Sequence, residues 1–269
     1  MHGQTFHPIL NSLAITALLS LFLPACTHVR PESHPSTHTP GTITIKTLVR
    51  GDHHSQYGLF IPHDYRPNAS TTYPVIIFLH GYSPPRDNAD PPLSIGLAPI
   101  VRSQSTSFPF IVIFPQTDAA WFPDAEPTLD VIAELDEVSR HFRVDPDRVS
   151  LMGAGLGGYD AWRIGAQYPD RFAALVPIYS AGADLEHAAR LVNLPIRAYM
   201  SESQDLHFVT YDSDMVQKVS SLGGNAQYIK APTSDIAGCM DYVFSNGDLV
   251  KWLQQQRRQH KNASAVGTQ

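Results

Sequence analysis

The stretch 153–158, which reads GAGLGG, has the residue types and spacing of a ligand-binding turn. It follows an apolar run and precedes a segment with helical spacing. Glycines at such a turn permit a tight bend, and the first N–H groups of the helix that follows can bind an anion. One hypothesis is therefore nucleotide binding at this turn.

Two observations weaken the nucleotide hypothesis. The glycines come late in the chain, after several predicted strands, and not in a first strand–helix–strand unit. No Asp or Glu ends the next predicted strand, which finishes Ile178-Tyr179-Ser180, although a dinucleotide site uses an acidic residue there to bind the ribose. Nucleotide binding stays a minor alternative.

The composition excludes several other classes of protein. The chain has 269 residues, of which 43% are hydrophobic, which excludes disordered and collagen-like proteins. Two cysteines cannot form a disulfide scaffold or a cysteine-based zinc site. A net charge of −6 with scattered Lys and Arg argues against a nucleic-acid partner. We expect no metal or other cofactor.

The N-terminal region has the features of an export signal. Residues 9–25 carry no charge and are mostly apolar, and they are too short for a comfortable membrane span of about 20 residues. The run Leu23-Pro24-Ala25-Cys26 resembles a bacterial lipoprotein signal, in which Cys26 would receive the lipid, although the first eight residues contain no Lys or Arg. Thr27 stands where an Asp would favour inner-membrane retention. We therefore expect a lipid-anchored protein of the bacterial cell envelope, in the outer membrane and facing the periplasm or the exterior.

Four segments follow from this pattern. Residues 1–25 are predicted to be a signal peptide, and residues 26–41, rich in Pro, Ser and Thr, a lipidated cysteine and its tether. Residues 42–257 are predicted to form the folded domain, and residues 258–269 a polar tail.

The domain alternates strand and helix patterns, which favours a mostly parallel sheet. The first two strands form a hairpin with its turn at His53 and His54. The predicted strands are 42–48, 57–61, 74–79, 108–114, 148–152, 173–179, 194–200 and 226–229. The predicted helices are 129–142, 158–168, 212–222 and 248–257.

Four motifs in this order carry a resemblance to a known family. They read FLHG (78–81), DPDRV (145–149), GAGLGGYDAW (153–162) and YPDRFAA (168–174). With them, the domain resembles α/β-hydrolase esterases of the polyhydroxybutyrate-depolymerase-like and phospholipase/carboxylesterase type. The resemblance implies the α/β-hydrolase fold, a mostly parallel central sheet with helices on both faces.

The catalytic triad implied by the resemblance is not intact in this sequence. The nucleophilic serine of the family lies in Gly-x-Ser-x-Gly at a strand-to-helix turn, and here that position is Gly155. The acid position falls on Gln204, or on Asp205 with a shift of one residue. The base should be a histidine after the last strand, but none occurs between His207 and His260.

Other parts of the family's ligand cleft are retained. The resemblance places the two oxyanion-hole N–H groups on Tyr82 and Leu156, and both are backbone donors that need no particular side chain. Gln116, Trp121 and Phe122 match the aromatic wall beside the substrate, or else these aromatic residues only cover the core.

Two functions from different classes remain open. The first is a non-catalytic pseudo-esterase that binds an ester, acyl or glycan-like ligand, or a protein partner, and contacts the membrane through its lipid anchor only. The second is a carboxylic-ester hydrolase that uses displaced groups, with Asp205 or Glu202 as the base for water.

Overall fold

The computed structural model describes six ranges of the chain, and all of them belong to one compact unit, 38–269. The predicted signal peptide, Cys26 and most of the tether lie outside the described residues. The described ranges are 39–81, 93–117, 127–180, 184–202, 206–245 and 247–259.

The described residues include eight strands, which form one sheet in the order β1-β2-β4-β3-β5-β6-β7-β8. β1 and β2 form an antiparallel hairpin, and β2 pairs antiparallel with β4. The other pairs are parallel, which confirms the predicted mostly parallel sheet. The strands are β1 (Ile43–Arg50), β2 (His53–Phe60), β3 (Tyr73–Leu79), β4 (Ile111–Pro115), β5 (Val144–Ala154), β6 (Ala174–Ile178), β7 (Ile196–Ser201) and β8 (Ala226–Ala231).

Over the described ranges, six α-helices cover the sheet, and two short 3₁₀ helices (Pro169–Arg171 and Leu185–Arg190) lie in its connections. The α-helices are α1 (Leu97–Ser103), α2 (Pro127–His141), α3 (Leu156–Gln167), α4 (Leu206–Ser221), α5 (Ile236–Ser245) and α6 (Asp248–Gln255).

The sheet is buried on both faces, because the helices divide between them. All seven residues of β3 are buried, and they alternate: Val75, Ile77 and Leu79 lie in the core beneath α2, α3 and α4. Ile76 and Phe78 lie in the core beneath α1, α5 and α6. A strand covered on both faces needs apolar residues at every position, which explains the continuous apolar run that predicted β3.

The hairpin turn differs from the prediction. Gly51 and Asp52 form the turn, and Gly51 has a φ of +62°. His53 and His54 are the first residues of β2, paired with Arg50 and Val49. Glycine is favoured where φ is positive, so Gly51 was the better signal for the turn.

Several boundaries also differ. β5 begins at Val144 and not at 148, β4 begins only at Ile111, and α4 begins at Leu206, before the predicted 212. Arg258, predicted to begin the polar tail, donates its backbone N–H to the carbonyl oxygen of Asp147 at 2.8 Å. The sequence patterns did not predict α1 or α5.

Candidate functional site

A cavity of about 590 Å³ opens at the carboxyl ends of β3, β5 and β6. Ligands of open parallel sheets bind at this edge, where the strand order reverses, and here the reversal lies between β3 and β5. α1 and α5 contribute the remaining walls. The lining residues are Phe78, His80, Gly81, Ser94, Ile95, Gly96, Pro99, Ile100, Ala154, Gly155, Leu156, Tyr179, Ser180, Ile236, Ala237, Met240 and Asp241.

Gly155 lies at the strand-to-helix turn, as predicted. It separates the last residue of β5 from the first residue of α3, with φ +60° and ψ −122°. Its N–H donates to the carbonyl oxygen of Ile178 at 3.0 Å. For residues other than glycine, such a backbone conformation costs on the order of 1–3 kcal/mol of conformational strain. Glycine adopts it without this strain.

A side chain at position 155 would enter the cavity. A Cβ built on Gly155 would lie 3.3 Å from the Cδ1 atom of Ile236 and 3.6 Å from the Cα atom of Gly81, and both residues line the cavity. A serine hydroxyl here would therefore face the ligand space. Gly155 leaves that position without a nucleophile.

The neighbouring glycines serve close packing of α3 on the sheet. A Cβ on Gly153 would come within 2.0 Å of the carbonyl oxygen of Gly157, and a Cβ on Gly158 within 3.0 Å of the Cβ of Ser180. The glycine pattern that suggested nucleotide binding is thus explained by the close packing of α3 on the sheet.

Leu156 is the one predicted oxyanion-hole residue that the structure describes, and it lines the cavity. It is the first residue of α3, so its N–H has no acceptor within the helix. The positive end of the helix dipole also lies here. This backbone group can donate to a carbonyl or carboxyl oxygen. Tyr82 lies outside the described residues.

His80 follows β3 and is buried in the wall of the cavity, only 5% exposed. Burial lowers the pKa of His80 and so favours the neutral ring. Its Nδ1 lies 2.7 Å from the carbonyl oxygen of Gly81, and because a carbonyl only accepts, Nδ1 carries the proton. The imidazole thus forms a hydrogen bond within the turn after β3, which gives it a structural role.

Ser180 is part of a buried network behind the cavity. Asp212, on α4, is completely buried and accepts hydrogen bonds from the Nε1–H of Trp162 at 2.7 Å and from the hydroxyl and the backbone N–H of Ser180. Burial raises the pKa of Asp212 to about 6, although these donors oppose the shift. Ser180 is therefore a structural group that is held by Asp212.

The remaining predicted site residues lie elsewhere or cannot be located. Gln116 is not among the described lining residues, and its Nε2–H donates to the carbonyl oxygen of Phe114 at 2.8 Å. The exposed Glu202 does not line the cavity either. Trp121, Phe122, Gln204 and Asp205 lie outside the described residues, so their predicted roles stay predictions.

The described lining is mostly apolar and carries little charge. Asp241 is exposed and supplies a carboxylate, and no Lys or Arg is among the described lining residues. Over the same described ranges, no three His, Cys, Asp or Glu side chains are grouped as metal ligands would be. Asp241 is therefore the one charged carboxylate among the described lining residues.

Sequence reasoning missed α5, which supplies Ile236, Ala237, Met240 and Asp241 to the cavity. The signals were present. The Oδ1 atom of Asp235 accepts from the N–H of Gly238 at 2.7 Å, which is the geometry of an N-cap. The buried residues Cys239, Met240 and Val243 follow Ile236 at the spacing of one helix face.

Comparison with solved structures identifies the fold. A thermostable esterase aligns with a TM-score of 0.65 and 23% identity over 82% of this chain and 64% of the esterase. A ferulic acid esterase aligns with a TM-score of 0.59 and 16% identity over 79% of this chain and 98% of its own length. S-formylglutathione hydrolase from Staphylococcus aureus aligns with a TM-score of 0.57 and 14% identity over 79% of this chain and 97% of its own.

These neighbours show that the chain has the α/β-hydrolase fold, as the sequence motifs predicted. Identities below 25% establish a shared fold, and fold alone does not decide activity. The chain spans 64% of the length of the thermostable esterase. No protein-family model and no curated protein matches the sequence.

Proposed function

We propose that this esterase-like protein binds a neutral acyl ester, or a related carbonyl compound, in the cavity beside Gly155 and does not hydrolyse it as a serine hydrolase does. One observation carries the proposal. The strand-to-helix turn has a positive φ of +60° at Gly155, and the residue there has no side chain to attack a carbonyl.

The base is missing as well as the nucleophile. The sequence has no histidine between His207 and His260, and His80 donates from Nδ1 to its own turn. A hydroxyl without an adjacent base is a weak nucleophile at neutral pH. The alternative uses Asp205 or Glu202 to activate water. Glu202 does not line the cavity, and Asp205 lies outside the described residues.

The size and chemistry of the cavity support a small-molecule ligand. About 590 Å³ lies within the range of roughly 300–1,000 Å³ that is usual for such sites, which are mostly apolar with few polar groups. The Leu156 N–H suits a carbonyl oxygen. Asp241, at the edge, repels anions, so a neutral ester is favoured over a free carboxylate.

A displacement experiment tests this binding function. Nile red, a neutral dye whose fluorescence rises in apolar surroundings, reports occupancy of the cavity, and methyl decanoate competes for it. We expect saturable Nile red binding, displacement by methyl decanoate and weaker displacement by decanoate. Absence of saturable binding by the wild-type protein contradicts the proposal.

Matched variants connect the signal to the cavity. Ile236→Glu places a charge among the lining residues, whereas Val49→Glu places one on β1, at a residue that is already 56% exposed. We expect Ile236→Glu to weaken Nile red binding at least about tenfold, because a carboxylate replaces an apolar group of the lining whose Cδ1 atom lies 3.3 Å from a Cβ built on Gly155. Val49→Glu should bind as the wild type does.

Lipid anchoring at Cys26 belongs to the same proposal. A lipidated cysteine with two or three acyl chains anchors a protein stably, since one chain alone is marginal. Residues 27–41 would extend to about 40–50 Å in a polyproline-like tether and hold the domain away from an outer-membrane surface. Among the described residues, no helix is long and apolar enough to span a membrane.

Cell fractionation tests the anchor. Cys26→Ser should release the protein from membranes, while Cys239→Ala, which changes a buried thiol, should leave it bound. A wild-type protein that is already soluble and still carries residues 1–25 contradicts the lipoprotein hypothesis.

A further inference from the structure

Tyr179 has a backbone conformation that its residue type resists. Its φ is +48°, and among the described residues it is the one non-glycine residue with a positive φ. An aromatic residue in this region is strained and persists only where the surrounding structure enforces it. Such strain is concentrated at ligand-binding and catalytic positions.

Tyr179 lies at the cavity, next to the strand-to-helix turn. Tyr179 follows the last residue of β6, is half-buried and lines the same cavity as Gly155. The two turns are joined, because the N–H of Gly155 donates to the carbonyl oxygen of Ile178. A change in the backbone of the Tyr179 turn would therefore alter the hydrogen bond that positions Gly155 at the strand-to-helix turn.

Contacts on both sides of Tyr179 hold it in place. Its own N–H donates to the carbonyl oxygen of Tyr199 on β7 at 2.7 Å. On the other side, Asp212 binds the hydroxyl and the backbone N–H of Ser180. Burying a carboxylate completely is costly unless hydrogen bonds compensate for its lost hydration. The bonds from Ser180 to Asp212 also restrain the residue that follows Tyr179.

We propose that Tyr179 is a ligand-positioning residue whose ring forms one wall of the acyl site, and that Asp212 holds it in its strained conformation through Ser180. This inference rests on the proposed binding function and specifies one wall of that site. The ring supplies rigid apolar area at low entropy cost, which suits an acyl chain. Asp212 touches no ligand and acts only through the turn.

Three substitutions of Tyr179 separate binding from packing. Tyr179→Phe keeps the ring, and we expect its affinity for Nile red to stay within about twofold of the wild type. Tyr179→Ala and Tyr179→Gly both remove the ring, and each should weaken Nile red binding about tenfold or more. Tyr211→Ala, which removes an exposed ring on α4, is the control and should bind normally.

The same pair of truncations tests the strain. Alanine keeps the penalty for a positive φ and glycine does not. We expect Tyr179→Gly to melt about 2–4 °C above Tyr179→Ala. In an ordinary strand or helix the order would be the reverse, so an alanine variant that melts at or above the glycine variant overturns the strained-turn part of the inference.

A double-mutant cycle tests the role of Asp212. Asp212→Ala removes both carboxylate oxygens, and with them the hydrogen bonds from Ser180. We expect it to weaken Nile red binding at least about twofold in the wild type and not at all in Tyr179→Ala. An equal effect in both backgrounds shows that Asp212 does not act through Tyr179.

The outcomes distinguish this inference from the proposed function. If the wild type binds Nile red and Tyr179→Ala binds equally well with a lower melting temperature, Tyr179 only packs, and the inference is wrong while the binding function stands. If the wild type shows no saturable binding, the proposed function itself is wrong.

Discussion

Gly157 lies so close to the carbonyl oxygen of Leu79 that a Cβ on it would come within 2.3 Å of that oxygen. The same Cβ would lie 2.5 Å from the carbonyl oxygen of His80. These are backbone atoms at the end of β3, and they cannot move aside as the end of a flexible side chain can. The missing side chain is what lets α3 begin directly against the sheet.

Gly157→Ala should therefore be severely destabilising. We expect a loss of about 4 kcal/mol or more in the free energy of unfolding, or failure to fold, because α3 must shift away from β3. Gly165→Ala is the control on the same helix, where the nearest atoms to the new Cβ are side-chain methyl groups, those of Leu175 at 3.2 and 3.3 Å and that of Leu191 at 3.6 Å. Urea unfolding of both proteins checks the difference, and similar midpoints would contradict it.

Gly155→Ser restores the nucleophile position but should not restore hydrolysis, because no histidine base accompanies it. We expect p-nitrophenyl butyrate turnover at the level of the buffer blank and no labelling by a fluorophosphonate. The variant should lose about 1–3 kcal/mol of stability from the positive φ. Saturable turnover by this variant would reveal a general base in the cavity and argue against a non-catalytic role.

Glu134 is completely buried on α2, where its Oε1 atom accepts a hydrogen bond from the hydroxyl of Ser55 at 3.0 Å. Burial raises the pKa of Glu134 well above its ordinary value. Its contribution to stability is thus complete below the unfolded pKa near 4.5 and is lost as the pH rises towards the folded pKa. The loss is up to about 1.4 kcal/mol per pH unit.

Glu134→Gln removes this loss, so its stability relative to the wild type should increase between pH 5 and pH 8. Thermal unfolding at several pH values measures the change. Asp214→Asn removes an exposed carboxylate on α4 and serves as the control, with a nearly constant difference from the wild type. A constant difference for Glu134→Gln as well would show that Glu134 ionises normally.

Arg258 fastens the end of the described chain to the domain. Its Nη2 atom lies 2.8 Å from the Oδ1 atom of Asp147, and its Nη1–H donates to the carbonyl oxygen of Asp170 at 2.6 Å. Arg258→Ala should cost about 1–2 kcal/mol, which lowers the melting temperature by roughly 2–8 °C for a domain of this size. Arg257→Ala, whose side chain is 62% exposed, should change it little.

Local patterns in the sequence determined much of the fold. The continuous apolar run predicted β3, and the helical spacing of apolar residues predicted α2. Each pattern shows which side chains of a segment must be buried, and it can be recognised without knowing what the segment packs against. The glycines from 153 to 158 marked the strand-to-helix turn, because close backbone contact leaves no room for a Cβ. The absence of a triad serine at 155, and of a histidine between His207 and His260, needed no structure at all.

Only the tertiary structure decided what surrounds Gly155. The walls of the cavity come from distant parts of the chain, including α1 and α5. No local sequence pattern predicts that these two helices line the same cavity. The restraint of Ser180 by Asp212 joins residues 32 positions apart, and the positive φ of Tyr179 is maintained by such long-range contacts. A tyrosine gives no local signal for that conformation, since its own preference is against it.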